Sequence, residues 1–398
     1  MAHRVLVLNC GSATVKFQVF EMDGGEPRRR LKGSVGVGSA SAVLELRPAE
    51  GPPVSRTVRA ATHGEAIGEL LAGLSGGGDA SGPRLPVAAT CHRIVHGGAE
   101  FTAPVRVDAD VVARLSALER LAPLHNGPGV AGIRAAMAAV AGPHIAVFDT
   151  AFHHTLPEVA WRYALPYDVA NRHGIRRFGF HGTSFRYVLG RLAELTGRGP
   201  DRVSAIILHL GNGASATAIR NGRSVDTTMG FTPLEGLVMG TRSGDVDPGV
   251  FAYLGEREGL TPAQVERMLY FDSGLLGVSG LSRDMRVLLE AEGANPRAKL
   301  AVDLFCHRVR KAVGALLASA EGTDALVFTG GIGENSAPVR ERICTPLAWA
   351  GIGLDRKTNL VSNNKEVRIS PADAAVPVWV IPTDEELQMA REAMPLLR

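Results

Sequence analysis

The sequence predicts an α/β protein, and one repeated pattern suggests two similar halves. Three observations carry that prediction: strand-like and helix-like apolar segments alternate along 398 residues, one strand-turn-strand pattern occurs twice, and glycine is in surplus at the turns. The chain has 47 glycines, where a usual frequency of about 7% gives roughly 28. They follow no three-residue period and lie between long apolar segments, which excludes a collagen-like or low-complexity chain.

The first unit runs from Arg4 to Asp23. It reads as a strand at Val5 to Leu8, a polar turn Asn9-Cys10-Gly11-Ser12-Ala13-Thr14, and a strand in which Val15, Phe17 and Val19 alternate with polar residues. Ser204 to Asp226 repeats the design, with strand Ala205 to Leu208, turn Gly211 to Ser215, strand Ala216 to Ile219 and the hairpin signal Asn221-Gly222. Two unrelated hairpins can look this similar, so the pattern by itself leaves duplication open. Leu74 to Pro86, with Gly76-Gly77-Gly78, reads as a surface loop. Val302, Phe305, Val309, Val313, Leu316 and Leu317 recur at helical spacing. A buried strand follows at Ala325 to Phe328, then a third glycine turn over Thr329 to Asn335 and another helix. Val376 to Ile381 reads as a strand, and Thr383-x-x-Glu386 as a capping box that opens a last helix.

Charge and composition narrow the function classes. With 43 basic and 40 acidic residues and a net charge of +3, nothing points to nucleic-acid or membrane-surface binding. No run approaches about 18 apolar residues, and Val5 to Leu8 is too short for a signal-peptide core. The expected location is the cytoplasm. Cys10, Cys91, Cys306 and Cys344 lack paired spacing, the histidines form no HExxH pattern, and His153-His154 would point opposite ways on a strand. Reduced thiols and no histidine metal site are expected.

A glycine turn after a strand lets backbone N–H groups converge on an anion, because no Cβ blocks close approach. Asn9, Ser12, Thr14 and Lys16 support the first turn, Asn212 and Ser215 the second, and the third lies near a helix N-terminus that favours phosphate. Most single glycine turns are only turns, and no P-loop or GxGxxG fingerprint is present. Three of them with amide and hydroxyl side chains point to phosphate. Arg93, His96, His181 and Arg242 also sit on glycine-bounded segments, which suits anion recognition, although an arginine taken at random is more often an exposed ion-pair partner.

These residues resemble those of the acetate kinase family, within the actin-like and sugar-kinase ATPase superfamily. The matching pieces are Asn9-x-Gly11-Ser12 with Lys16, His92-Arg93-Ile94-Val95-His96-Gly97-Gly98, Phe148-Asp149-Thr150-Ala151-Phe152-His153 and Gly179-Phe180-His181-Gly182-Thr183-Ser184. They continue with His209-Leu210-Gly211-Asn212-Gly213, Gly240-Thr241-Arg242, Asp284-Met285-Arg286, Gly331-Ile332-Gly333-Glu334-Asn335 and Pro382-Thr383-x-Glu385-Glu386-Leu387. They come in family order and cover nearly the whole chain.

The resemblance implies a duplicated, two-lobed actin-like ATPase (ribonuclease H-like) α/β fold with a central nucleotide cleft. The lobes would be residues 1–149 with 384–398, and residues 150–383. It implies a homodimer that transfers the γ-phosphoryl group of ATP reversibly to acetate, giving acetyl phosphate and ADP, with Mg2+ or Mn2+. Asn9 and Glu385 are implied at the metal. Ser12, Thr14, Lys16, His209 to Gly213 (with Leu210, Gly211 and Asn212), Asp284, Met285, Arg286, Gly331, Ile332, Gly333, Glu334 and Asn335 are implied at the nucleotide. Arg93 would pair the substrate carboxylate, and Val95, Leu124, Phe180 and Pro233 would hold its alkyl end. Asp149, His181, Arg242 and His125 would be catalytic. An aliphatic acid with a pKa near that of a model Glu, about 4.3, is already ionised at neutral pH. Asp149 is therefore expected to orient an arginine and position Mg2+ through water rather than act as a base.

Departures from the family pattern are Ser12-Ala13-Thr14 for three serines, Asn126-Gly127-Pro128-Gly129 after His125, Phe185 for histidine, Arg283 for a small residue and Asp384 for asparagine. The Gly127 to Gly129 stretch is expected to loosen a loop. A propionate or butyrate kinase of the same fold is the near alternative. A non-catalytic actin-like nucleotide switch is the distant one, since it would need neither Arg93 nor Arg242.

Overall fold

The structure, a computed structural model, describes residues 3–75 and 85–397. The chain forms two compact units, Met1–Phe152 with Asp384–Arg398, and His153–Thr383.

The first unit holds an eight-stranded sheet of β1 (His3–Cys10), β2 (Thr14–Met22), β3 (Arg28–Gly36), β4 (Ser39–Pro48), β5 (Val54–Ala60), β6 (Ala89–Ile94), β7 (Val105–Arg106) and β8 (His144–Phe148), in the order β5-β4-β3-β2-β1-β6-β8-β7. The second holds β9 (Ala205–Leu210), β10 (Ala214–Arg220), β11 (Arg223–Thr227), β12 (Ala325–Thr329), β13 (Val367–Arg368) and β14 (Val378–Val380), in the order β11-β10-β9-β12-β14-β13. The two sheets repeat one plan. β1 pairs antiparallel with β2 and parallel with β6, as β9 does with β10 and β12. β8 and β14 continue parallel and take short antiparallel neighbours in β7 and β13. A shared strand order with shared directions is what the two glycine hairpins by themselves left open.

Central strands are apolar on both faces because both faces are covered. β8 and β12 are buried at every residue, the pattern of parallel strands between helices. In the first unit Leu6, Leu8, Phe17 and Val19 pack against the helix His63–Ser75 through Ile67 and Leu70. On the opposite face Val5, Val7, Cys91 and Val147 meet Met389 and Ala393 of the helix Glu385–Ala393. The four cysteines are all buried and unbridged. The helix Pro296–Ala320 buries Val302, Phe305, Val309, Val313 and Leu316, as its spacing predicts.

Several boundaries differ from the sequence reading. β1 runs on through Asn9 and Cys10, which pair with Lys16 and Val15, so the first turn shrinks to Gly11–Ala13. Leu74 and Ser75 end a helix rather than begin a loop, and Gly76 to Gly78 lie outside the described residues. His153 and His154 sit in a 3-10 turn over Asp149–Thr155, not on a strand. His125 to Gly129 are helical, inside Pro123–Ala139, despite Pro128. Asn126 clamps that segment, accepting from the His96 N–H at 3.0 Å and donating to its carbonyl at 2.9 Å. The last helix is capped by Asp384, whose carboxylate accepts from Leu387 N–H at 3.1 Å, and not by Thr383. The capping box fails because the helix begins one residue later than its spacing implies, and Glu386 instead accepts from Gln18 Nε2 on β2 at 3.1 Å.

Candidate active site

In the first unit, chemistry collects on the sheet face that carries Val5, Val7, Ala89 and Cys91. Alternation along β1 and β6 puts Asn9 and Arg93 on that face, and Asn9 lies directly across from the exposed Lys16. Asp149 follows the last residue of β8, where an apolar strand runs out. It is 1% exposed and accepts from Arg93 twice, from Nε at 2.9 Å and from Nη2 at 2.6 Å. Arg93 Nη1 donates to Asn9 Oδ1 at 3.3 Å. Burial opposes the Arg93 charge, but Asp149, then Glu385 and Glu386, outweigh it and raise its pKa. Burial, and then the neighbouring Glu385, push the Glu386 carboxyl above its ordinary value.

Asp149, Glu385 and Glu386 thus surround one guanidinium and leave an excess of negative charge. Their donors, with Asn9, are all oxygen, which suits a hard cation. Among the described residues no three His, Cys, Asp or Glu side chains converge as a metal cage. Oxygen donors of this kind are compatible with Mg2+, which takes one or two carboxylates and completes its shell with water and phosphate.

In the second unit, β9 and β10 are joined by the turn Gly211–Gly213, closed by the Gly211 N–H to the Gly213 carbonyl at 3.0 Å. His209, next to last on β9, lies opposite Ser215 on β10. His181 caps the helix Gly182–Thr196 with φ 59°, in the left-handed region, a strain of about 1–3 kcal/mol for a non-glycine residue that persists where structure enforces it. The His181 and His209 rings stack with centroids 4.2 Å apart. Arg242 is steered by its Nη1, which donates to the Pro233 carbonyl at 2.6 Å. A Cβ placed on Gly213 would lie 3.3 Å from His181 Nε2 and 3.4 Å from Arg242 Nη2. Two donor side chains therefore converge on a backbone turn where even a methyl group would crowd them.

Beside this turn is a cavity of about 770 Å³, lined by Gly211, Asn212, Asp284, Arg286, Gly331 and Asn335 among others, including Met285 and Ile332. His209, Leu210, Gly213, Gly333 and Glu334, also expected at the nucleotide, do not line it. Leu210 is a fully buried strand residue. The Gly333 carbonyl accepts from Arg340 at 2.8 Å, and Glu334 accepts from the Gly330 and Thr383 N–H groups at 2.8 and 3.1 Å. These residues brace the third turn from behind.

The remaining expected residues are placed as follows. Ser12 is exposed and Thr14 half-buried beside the first turn. His125 is half-buried in its helix, and Val95 half-buried just after β6. Phe180 and Pro233 are buried in the second unit, and the side chain of Leu124 lies outside the described residues.

The chain matches the family model described as the acetokinase family over residues 4–391. The chain belongs to the acetokinase family. It is 45% identical to a protein named acetate kinase from Solibacter usitatus, covering 98% of this chain and 97% of that one. It is 46% identical to the one from Dictyoglomus thermophilum over 98% of each. Among solved structures, the acetate kinase of Porphyromonas gingivalis matches with TM-score 0.92 and 43% identity over 100% of both chains. A propionate kinase from Francisella tularensis matches with TM-score 0.89 and 37% identity over 98% of both.

Within this acetokinase fold three of the departures can be placed. Phe185 is fully buried, edge-on to His153 with centroids 5.6 Å apart, so it fills core. Asp384 gains an ion pair with Arg29 besides its cap. Arg283 lines the large cavity. Sequence reasoning missed Glu386 at Arg93, because its spacing suggested a cap. It also missed the fully buried Arg340, which donates to Gly333, to Asn359 Oδ1 at 2.8 Å and to Ser362 Oγ at 2.7 Å. Nothing local marks an arginine as interior, so no sequence signal could have found it.

Proposed function

We propose that this chain is an acetate kinase, transferring the γ-phosphoryl group of ATP reversibly to acetate with formation of acetyl phosphate and ADP. Full-length likeness to proteins bearing that name carries the choice of substrate. The geometry supplies the chemistry.

ATP binds in the cavity beside Gly211 and Gly331, with its phosphates over the β9–β10 turn. Phosphoryl transfer asks for little covalent work and much fixed positive charge and donation. His181 and Arg242 supply it, converging where Gly213 leaves room. Arg93 receives the acetate carboxylate, its guanidinium held in one orientation by the Asp149 fork. Carboxylate needs no deprotonation, so Asp149 acts by orienting and not as a base. Asn9 and Glu385 would hold Mg2+, which neutralises phosphate charge when bound; Mn2+ is the expected substitute. The family resemblance assigns His125 to the phosphate and Val95, Leu124, Phe180 and Pro233 to the alkyl end of the substrate, and this reading keeps those roles. The working form is a cytoplasmic homodimer, whose mass light scattering would check.

The test is acyl phosphate trapped with hydroxylamine across formate, acetate, propionate and butyrate. Acetate should give the highest kcat/KM, with propionate poorer but active, since one methylene is worth only about 1–3 kcal/mol. Highest kcat/KM on propionate or butyrate would move the assignment to that substrate. ADP release indifferent to any carboxylate would favour a nucleotide switch. Removing divalent metal with EDTA should abolish turnover.

A further inference from the structure

Two serines meet the two stacked histidines of the second unit in the same way. Ser215 Oγ lies 2.8 Å from His181 Nδ1, and Ser184 Oγ lies 2.8 Å from His209 Nδ1. Both serines are fully buried. The opposite ring nitrogens are turned to the glycine turn: a Cβ on Gly213 would be 3.3 Å from His181 Nε2, and one on Gly211 would be 3.7 Å from His209 Nε2.

The place of each ring proton follows from what the hydroxyls can reach. Among the described residues each hydroxyl has one hydrogen-bond partner, its histidine nitrogen. A hydroxyl offers one hydrogen and two lone pairs. If it accepted from an Nδ1–H, its own hydrogen would be stranded in the interior. If it donates, only a lone pair goes unused, and interiors tolerate an under-used oxygen better than an orphaned donor. Donation to Nδ1 leaves the proton of a neutral imidazole on Nε2. Stacking reinforces this, since two imidazolium rings with centroids 4.2 Å apart would repel.

We propose that Ser215 and Ser184 are positioning residues that hold His181 and His209 as their Nε2–H tautomers, so that both rings present an N–H donor to the Gly211–Gly213 turn. This inference rests on the phosphoryl-transfer reading for its purpose, though not for its geometry. His181 shares the turn with Arg242, so Ser215 governs the transferring group. His209 lies nearer Gly211, which lines the cavity, so Ser184 governs nucleotide binding.

Long-range proton–nitrogen NMR of the imidazoles in the free protein tests it, with signals assigned from His181→Gln and His209→Gln. Wild type should show both rings as Nε2–H, and Ser215→Ala or Ser184→Ala should lose that signature only at its own histidine. Ser215→Ala should lower kcat about tenfold or more with KM for ATP little changed, a loss of the size seen when outer partners of functional histidines are removed. Ser184→Ala should instead raise KM for ATP. Ser215→Thr and Ser184→Thr, which keep the hydroxyl, should restore both tautomer and kinetics. Nδ1–H signals in wild type, or alanine variants with unchanged tautomer and kinetics within twofold, would overturn the proposal. Wild type that makes no acyl phosphate while showing both Nε2–H signals would overturn the functional reading and leave the tautomer assignment standing.

Discussion

Asp149 takes one edge of the Arg93 guanidinium with both carboxylate oxygens, at 2.9 Å from Nε and 2.6 Å from Nη2, and is itself 1% exposed. A fork of this kind fixes direction as well as charge. Asp149→Asn would turn an amide N–H against a guanidinium N–H and release the arginine. A fall in kcat/KM for acetate of about 100-fold is expected. A double-mutant cycle with Arg93→Ala and Asp149→Ala should give a coupling of about 1–3 kcal/mol in transition-state stabilisation; additive losses would deny that Asp149 acts through Arg93.

Gly213 has no positive φ, so alanine fits its backbone. The added methyl would still crowd His181 Nε2 and Arg242 Nη2 at 3.3 and 3.4 Å. Gly213→Ala is expected to cut kcat about 100-fold or more while changing stability by under about 1 kcal/mol. Steady-state kinetics beside thermal unfolding separates the two, and an active Gly213→Ala would remove the turn from the phosphoryl site.

Buried histidines make stability depend on pH. Burial, and then the neighbouring His144, push His92 down from 6.5 to about 3, while its Nε2 meets the Thr90 hydroxyl at 2.7 Å. Between those values the unfolded chain binds a proton that the folded chain refuses, so stability is complete above about pH 6.5 and lost as pH falls. By pH 5 the loss from this group is about 2 kcal/mol. Denaturant unfolding at pH 7 and pH 5 should show His92→Gln losing less than wild type by roughly that amount; equal losses would refute the assignment.

Arg340 is fully buried with no carboxylate partner among the described residues, and burial lowers its pKa to about 10. Its guanidinium is satisfied by the Gly333 carbonyl, by Asn359 and by Ser362. Arg340→Met would strand those acceptors, each hydrogen bond to a charged group being worth about 1.5–3 kcal/mol. Destabilisation of at least about 3 kcal/mol is expected by denaturant titration, with KM for ATP raised as the helix Gly330–Asn335 loosens. A variant as stable as wild type would show that the turn is held by other means.

Much of the fold was legible because its signals are local. Val5 to Leu8 and Ala325 to Phe328 are buried strands read from apolar runs, and Asn221-Gly222 turns with φ 49° and 76°, as its hairpin signature requires. Strands β3 to β5 were not read, since Arg28–Gly36 and Val54–Ala60 mix charge with apolar residues and acquire their faces only by pairing with neighbours. The helical segment around His125 was misread because Gly127, Pro128 and Gly129 argue locally against helix, and the clamp of Asn126 on His96 is a long-range bond.

Sequence by itself determined which residues could do the chemistry: glycine turns that leave backbone exposed, arginines and histidines beside them, and acids at strand and helix ends. Those are properties of residue type and short spacing, and they survive without a third dimension. Only the tertiary structure decided which partners each would have. Arg93 meets Asp149 and Asn9 because strand alternation and sheet order set β6 beside β1 and β8. His181 and His209 stack, each against its own serine, because a helix start and a strand end converge. Glu386 accepts from Gln18 on a distant strand by the same logic. A hydrogen bond is chosen by distance in space, which the order of residues along a chain does not contain.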